Sequence, residues 1–433
     1  MNLKIKILHQ RLFDSRFLPK TFFSFFFLKK FLSSSSSFPM TSTASVIKQV
    51  ATTAGFQKLS AFQAISLEAM LEKKDVFVVA PTGTGKSLCY HLLPPVLRAM
   101  GVVHPLVVVF SPIVWLIDDQ MDRLQKLGEK AVRADTWIPG DDSTFLFLRP
   151  EELTTTTLAK LQRVYLSRTW LTFVVDEAHC ALNWGDSFRE DYGQLKRKLA
   201  LFKEAPKMAL TATASPTTVE KIIGYLGLVD PEVVIEPASK QHIYLTVQPL
   251  ETKMQVLEGL LEELKKDRGR SVKTVVFIRE RTEVSNVWAF FHHYLPANIS
   301  HRCEMYMSTT ADRMKRGIAE YFKDQDSSIR LLIATSAFGL GVDCQGIRRV
   351  VHLEPPTSFD DFVQQIGRAG RNGEQIASIL VNDGVQKGKD EQMRKFLSTK
   401  GCRRLVISQH YGLLQTACCD TCCDNFSAAM AID

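Results

Sequence analysis

The 433-residue chain is 45% apolar and 23% charged, long enough for roughly two to four domains with real cores. That balance excludes disorder, collagen and coiled coil as descriptions of the whole. The formal charge of +8 points to an anionic partner, yet residues 1–40 hold +6 of it, which leaves only +2 for residues 41–433.

Residues 1–40 are Phe-rich and end in the run Ser33 to Ser37. Their apolar stretch, Phe22–Leu28, is broken by Lys29 and Lys30, far short of the roughly 20 residues that span a bilayer. Basic, Ser-rich and acid-poor composition resembles an organelle transit peptide. A disordered tail, or a true start at Met40, are the open alternatives. The segment is expected outside the fold, and no membrane partner is expected.

Asp75–Ala80 is an apolar, β-branched run and reads as a buried parallel strand. It leads into Pro81-Thr82-Gly83-Thr84-Gly85-Lys86-Ser87, and Leu88–Arg98 then reads as a helix. Strand, Gly-rich loop and helix in that order make a phosphate-binding loop. Glycines let backbone N–H groups close around phosphate oxygens, and the helix N-terminus adds its dipole. Lys86 then reaches the β- and γ-phosphates, and the Ser87 hydroxyl holds Mg²⁺. Ninety residues on, Leu171–Val175 is a second buried strand ending at Asp176-Glu177-Ala178-His179. Asp176 suits a Mg²⁺ contact, and Glu177 suits a base that orients the attacking water. Together these segments form a nucleoside triphosphate hydrolysis site.

Farther along, Thr274–Ile278, Leu331–Ala334 and Val350–Leu353 read as strands, with Met254–Lys265 as an amphipathic helix between them. Such alternation means parallel sheets covered by helices. Gly224 to Glu236 reads as a linker. Five of nine cysteines crowd the last 32 residues: Cys402, Cys418, Cys419, Cys422 and Cys423. Clustering of that kind favours a metal site over a disulfide framework.

Further segments carry a family resemblance. Ser111-Pro112-Ile113 with Asp119-Gln120, Thr211-Ala212-Thr213, Ala334-Thr335 through Asp343, and Gln364-Gln365-Ile366-Gly367-Arg368-Ala369-Gly370-Arg371 resemble motifs Ia, III, V and VI of superfamily-two helicases. Within that superfamily the chain is similar to the RecQ DNA helicases. The loop Cys180-Ala181-Leu182-Asn183-Trp184-Gly185-Asp186-Ser187-Phe188-Arg189 resembles the family's aromatic-rich loop. Its Trp184 and Phe188 offer faces on which bases stack, and Arg189 adds charge.

The resemblance implies an α/β fold of two tandem RecA-like domains, residues 41–225 and 226–380. A small helical zinc-binding-like subdomain, 381–433, follows, and no winged-helix domain is expected after it. It implies ATP-driven 3′–5′ unwinding of single-stranded and branched DNA in repair, recombination and replication. The location implied is the nucleus, or an organelle if residues 1–40 are a transit peptide. Gln63 is expected to read adenine. Arg368 and Arg371 are expected at the γ-phosphate, Asp343 at the nucleotide, and His179 at the nucleic acid. Cys402, Cys419 and Cys422 are the first three expected zinc ligands, with Cys418 or Cys423 as the fourth.

Several positions depart from the family pattern. Ser60 stands where a stacking Arg is expected, Lys240 and His242 replace an Arg and an Asn, and motif IV survives as Phe277 and Arg281. The segment from Gly128 to Phe145 is short by roughly one strand and helix of the first sheet. Two alternatives stay open: an RNA helicase of the same superfamily, against which the aromatic loop and cysteine tail argue, and, because of that gap and the short tail, an impaired DNA-binding or strand-annealing protein.

Overall fold

A computed structural model describes residues 5–7, 42–112, 114–167, 170–183, 186–236, 242–266, 271–324, 326–339, 344–370, 374–412 and 422–426. For 5–7, 183, 186–192, 312, 337 and 339 it describes the backbone alone. Two parallel sheets organise the chain, as expected. The first holds β1 (Ile5–Ile7), β2 (Val76–Val79), β3 (Leu106–Phe110), β4 (Ala131–Arg133), β5 (Phe145–Leu148), β6 (Leu171–Val175), β7 (Lys207–Thr211) and β8 (Glu232–Ile235). Their spatial order is β1-β8-β2-β7-β6-β3-β5-β4. The second holds β9 (Ile243–Pro249), β10 (Thr274–Phe277), β11 (Cys303–Tyr306), β12 (Leu331–Ala334), β13 (Arg349–His352) and β14 (Ile376–Asn382). Their order is β11-β12-β10-β13-β14-β9. Both are RecA-like.

Continuous apolar strands arise because both sheet faces are covered by helices. In β2, Phe77 and Val79 enter one core layer while Val76 and Val78 enter the opposite one. The same alternation sends Val275 and Phe277 of β10 to one side and Val276 to the other. Strand ends therefore lie at one edge of each sheet, where ligands of open α/β sheets bind.

Four local expectations are corrected. The helix expected over Leu88–Arg98 is two helices, Leu88–His91 and Leu93–Ala99. Pro94 and Pro95 lack the N–H that one continuous ladder needs. The first domain does not end at 225, because β8 pairs in parallel with β2 through Ile235. Residues 1–40 are not wholly outside the fold, since β1 pairs with β8 at the sheet edge. The short Gly128–Phe145 segment still supplies edge strand β4, paired with β5. Turns rather than a helix connect β4 to β5, and Trp137 in them is buried in the core.

Among the described residues, the C-terminal segment builds no core of its own. Met393, Phe396, Cys402, Val406 and Tyr411 join the second domain's core. Its last described residues extend the β9 edge: Leu245 N donates to Cys422 O at 3.1 Å and Asp424 N to Leu245 O at 3.0 Å. Arg403 locks this edge by an ion pair with Asp424. Among the described residues, no helix is long and apolar enough to cross a membrane.

Candidate nucleotide-hydrolysis site and interdomain groove

The loop after β2 bends at Gly83 and Gly85, whose φ angles are +84° and +82°, a region open chiefly to glycine. Lys86 Nζ donates to Ala80 O at 2.9 Å and Pro81 O at 3.3 Å, so the lysine is held over the loop mouth. Thr84 Oγ1 closes the turn onto Pro81 O at 2.6 Å. Gln63, 4% exposed, meets the loop differently from the adenine reading. Its carbonyl accepts from Ser60 N at 2.9 Å, and its amide donates to Gly85 O at 3.0 Å and Thr84 O at 3.3 Å. The side chain braces the phosphate loop. A Cβ on Gly85 would sit 2.8 Å from Gln63 Nε2, so a side chain there would push the Gln63 amide off the loop.

Asp176 and Glu177 follow β6, buried at 6% and 7% exposure. Tyr90 OH donates to Asp176 Oδ2 at 3.4 Å, and Glu177 N donates to Asp176 Oδ1 at 2.9 Å. Glu177 stands at φ +49°, an unusual conformation for a non-glycine residue. Burial first, and the Glu177 charge second, push the Asp176 carboxyl up to about 7, with Lys86 opposing. Two buried carboxylates beside one lysine leave excess negative charge. That donor set fits a hard divalent cation, which Ser87 and Asp176 would hold.

His179 links Glu177 to β7. Thr211 Oγ1 spends its proton on Thr213 O at 3.1 Å, so His179 Nδ1 is the donor in the 3.0 Å bond to Thr211 Oγ1. Glu177 Oε2 lies 3.4 Å from the same nitrogen. His179 is 6% exposed, so its main engagement is this link rather than the open nucleic-acid contact expected of it. It does reach the wall of the interdomain groove.

The second domain completes the site. Arg368, just after the helix Phe359–Ile366, is 1% exposed. It lies within electrostatic reach of Glu177, whose charge offsets the burial that disfavours its cationic form. Asp360 on that helix accepts from Tyr411 OH at 2.7 Å and His410 Nε2 at 3.1 Å. The C-terminal helix Arg403–His410 is thereby tied to the helix that leads into Arg368.

Between the domains runs a groove of about 1240 Å³. The first domain lines it with Pro112, Trp115, Asp118, Asp119, Arg133 and Arg149, and the second with Arg279, Arg281, Lys315, Arg316, Lys323 and Gln364. Several acids there are already paired: Asp118 with Arg133, Glu151 with Arg149, and Asp119 with Arg123 and, across the cleft at 3.0 Å, Lys323.

Of the cysteines, Cys402, Cys422 and Cys423 are buried with their sulfurs within 4.8 Å of one another. Cys402 Sγ is 3.2 Å from Cys422 Sγ, and Cys422 Sγ is 4.0 Å from Cys423 Sγ. These spacings bracket the ~3.8 Å between thiolates around a zinc with ~2.3 Å bonds. Cys423 thus takes a place in the cluster beside Cys402 and Cys422. Cys418, Cys419, Trp184, Asp343 and Arg371 lie outside the described residues, as do the side chains of Phe188 and Arg189. Tyr90 and Asp360 went unnoticed in the sequence, because a tyrosine and an aspartate on helices carry no spacing signal.

Two parallel-sheet domains, a phosphate loop, a buried Asp-Glu pair and an arginine from the opposite domain define a superfamily-two nucleoside triphosphatase. Residues 60–222 match the DEAD/DEAH box helicase family and 252–373 the helicase conserved C-terminal domain. The ATP-dependent DNA helicase RecQ of Haemophilus influenzae is 29% identical over 88% of this chain and 63% of its own length. The ATP-dependent helicase SGS1 of Saccharomyces cerevisiae is 29% identical over 85% of this chain and 27% of its own. The crystal structure of the DUF1998 helicase MrfA bound to DNA and AMPPNP superposes with a TM-score of 0.64 at 20% identity, over 86% of this chain and 53% of that one. The chain belongs to the RecQ family of superfamily-two helicases. It spans less than two thirds of the length of these relatives.

Proposed function

We propose that the chain is an ATP-dependent DNA helicase that moves 3′ to 5′ on single-stranded DNA and unwinds tailed and branched duplexes. The observation that carries this is the buried Arg368 of the second domain placed within electrostatic reach of the buried Glu177 of the first. ATP bound there bridges both domains, so hydrolysis can open and close the groove beside it. Lys86 and the loop amides cradle the phosphates. Glu177 orients a water and accepts its proton as oxygen attacks the γ-phosphorus and the bond to ADP breaks. Arg368 stabilises charge on the transferring phosphoryl oxygens. A divalent cation supplies Lewis-acid neutralisation of the β,γ-oxygens when bound.

The groove, with arginines on both walls, is assigned to the DNA strand. Zinc is assigned to Cys402, Cys422 and Cys423, with the fourth ligand from residues 413–420. Work in DNA repair, recombination and replication, in the nucleus, completes the reading, as the family resemblance implies.

Unwinding of a 3′-tailed duplex with ATP and Mg²⁺ tests the proposal, alongside Glu177→Gln. The parent should unwind it, and Glu177→Gln should bind ATP yet lose at least ~100-fold in turnover. ATPase stimulated by single-stranded RNA and not by DNA would overturn the choice of substrate.

A further inference from the structure

Trp115 is a residue that neither the motif set nor the ATP site employs. It sits in the first turn of the helix Val114–Lys126, next to Pro112 at the groove wall. The side chain is half-buried. Its buried part rests against the second domain's core, and the rest lines the groove. Tyr306, the other large aromatic in the lining, is only 2% exposed. Among the described lining residues, Trp115 is therefore the large aromatic with surface to offer. Arg149 and His179 line the groove with it from its own domain, and Arg279 and Arg281 line the second domain's wall.

We propose that Trp115 is a nucleobase-stacking contact for single-stranded DNA in the interdomain groove, separate from the loop around Trp184. The inference rests on the assignment of that groove to DNA. Arginines can hold phosphates on either side, but a charged groove alone binds backbone without engaging bases. An indole face adds a sequence-tolerant grip, because every base has a π-face. The location also links grip to motion. The indole belongs to one domain and leans on the other, so opening the cleft changes how much of its face a base can cover.

The test compares full-length parent, Trp115→Ala, Trp115→Leu and Trp115→Phe for binding to two labelled oligomers of equal length. One is oligothymidylate, and the other is its abasic counterpart, with phosphates and sugars but no bases. Trp115→Ala and Trp115→Leu should weaken oligothymidylate binding roughly tenfold and leave the abasic oligomer unchanged. Trp115→Phe should stay within about threefold of the parent on both. Leucine keeps the apolar packing on the second domain, which separates stacking from interface damage. Equal weakening on both oligomers would reduce Trp115 to an interdomain packing residue. Unchanged binding on both would remove it from the DNA path. If the parent binds neither oligomer, the DNA assignment of the groove falls, and the stacking contact with it.

Discussion

Gln63→Ala tests the geometry of the phosphate loop most directly. The substitution removes three hydrogen bonds, one from Ser60 N and two to the carbonyls of Thr84 and Gly85. A net hydrogen bond contributes about 0.5–1.5 kcal/mol, so the two that reach the loop are together worth about 1–3 kcal/mol. A loop that occupies its competent shape less often binds phosphate more weakly by the same factor, roughly 5- to 150-fold. That loss is blind to the base. Displacement titrations with ATP and with inorganic tripolyphosphate, which has no base, should both weaken by that factor. Weaker ATP binding with unchanged tripolyphosphate would refute the bracing argument and restore Gln63 as an adenine reader. No change in either would mean that the two bonds are unimportant for loop shape.

Arg368→Ala should bind ATP yet lose about 10³-fold or more in steady-state turnover. Arg368→Lys should recover little of it, because a point charge does not replace the planar fork; near-parental turnover in either would remove Arg368 from the chemistry. Acid should destabilise both domains. Burial holds His91 down to about 3 and His352 to about 4, against an ordinary 6.5. Below pH 6.5 and above those values the unfolded chain binds more protons, so stability falls as pH falls, by up to ~1.4 kcal/mol per pH unit per histidine. Urea denaturation at pH 7 and pH 5 should show the drop, and His91→Gln should flatten it in the first domain. For the cysteines, Cys402→Ser should lower zinc bound from about one per chain and reduce the melting temperature of the second domain. Unchanged zinc content by elemental analysis would exclude Cys402 as a ligand.

Much of the site was readable in one dimension because its chemistry is local. The loop from Pro81 to Ser87 and the pair Asp176-Glu177 each sit at the end of an apolar strand, and strand, turn and phosphate cradle are specified within a dozen residues. The order of the motifs likewise anticipated two sheets, because each strand with its following helix is a self-contained unit. Composition was a weaker guide. Residues 1–40 carry +6 of the net +8, whereas the groove draws its arginines from both domains.

Tertiary structure decided the features that depend on partners distant in sequence. Gln63 is an expected adenine reader in the sequence, and its brace appears only where the loop 21 residues on meets its amide. His179 becomes a link only when β7 lies beside β6 and brings Thr211 to its ring. The boundary near 225 misled because strand β8 completes the first sheet by returning to β2, far earlier in the chain. Cys423 joins Cys402 because the last described residues add to the edge of β9. In each case the deciding force is pairing between segments whose spacing carries no pattern: backbone hydrogen bonds, burial, and charge brought together across a fold.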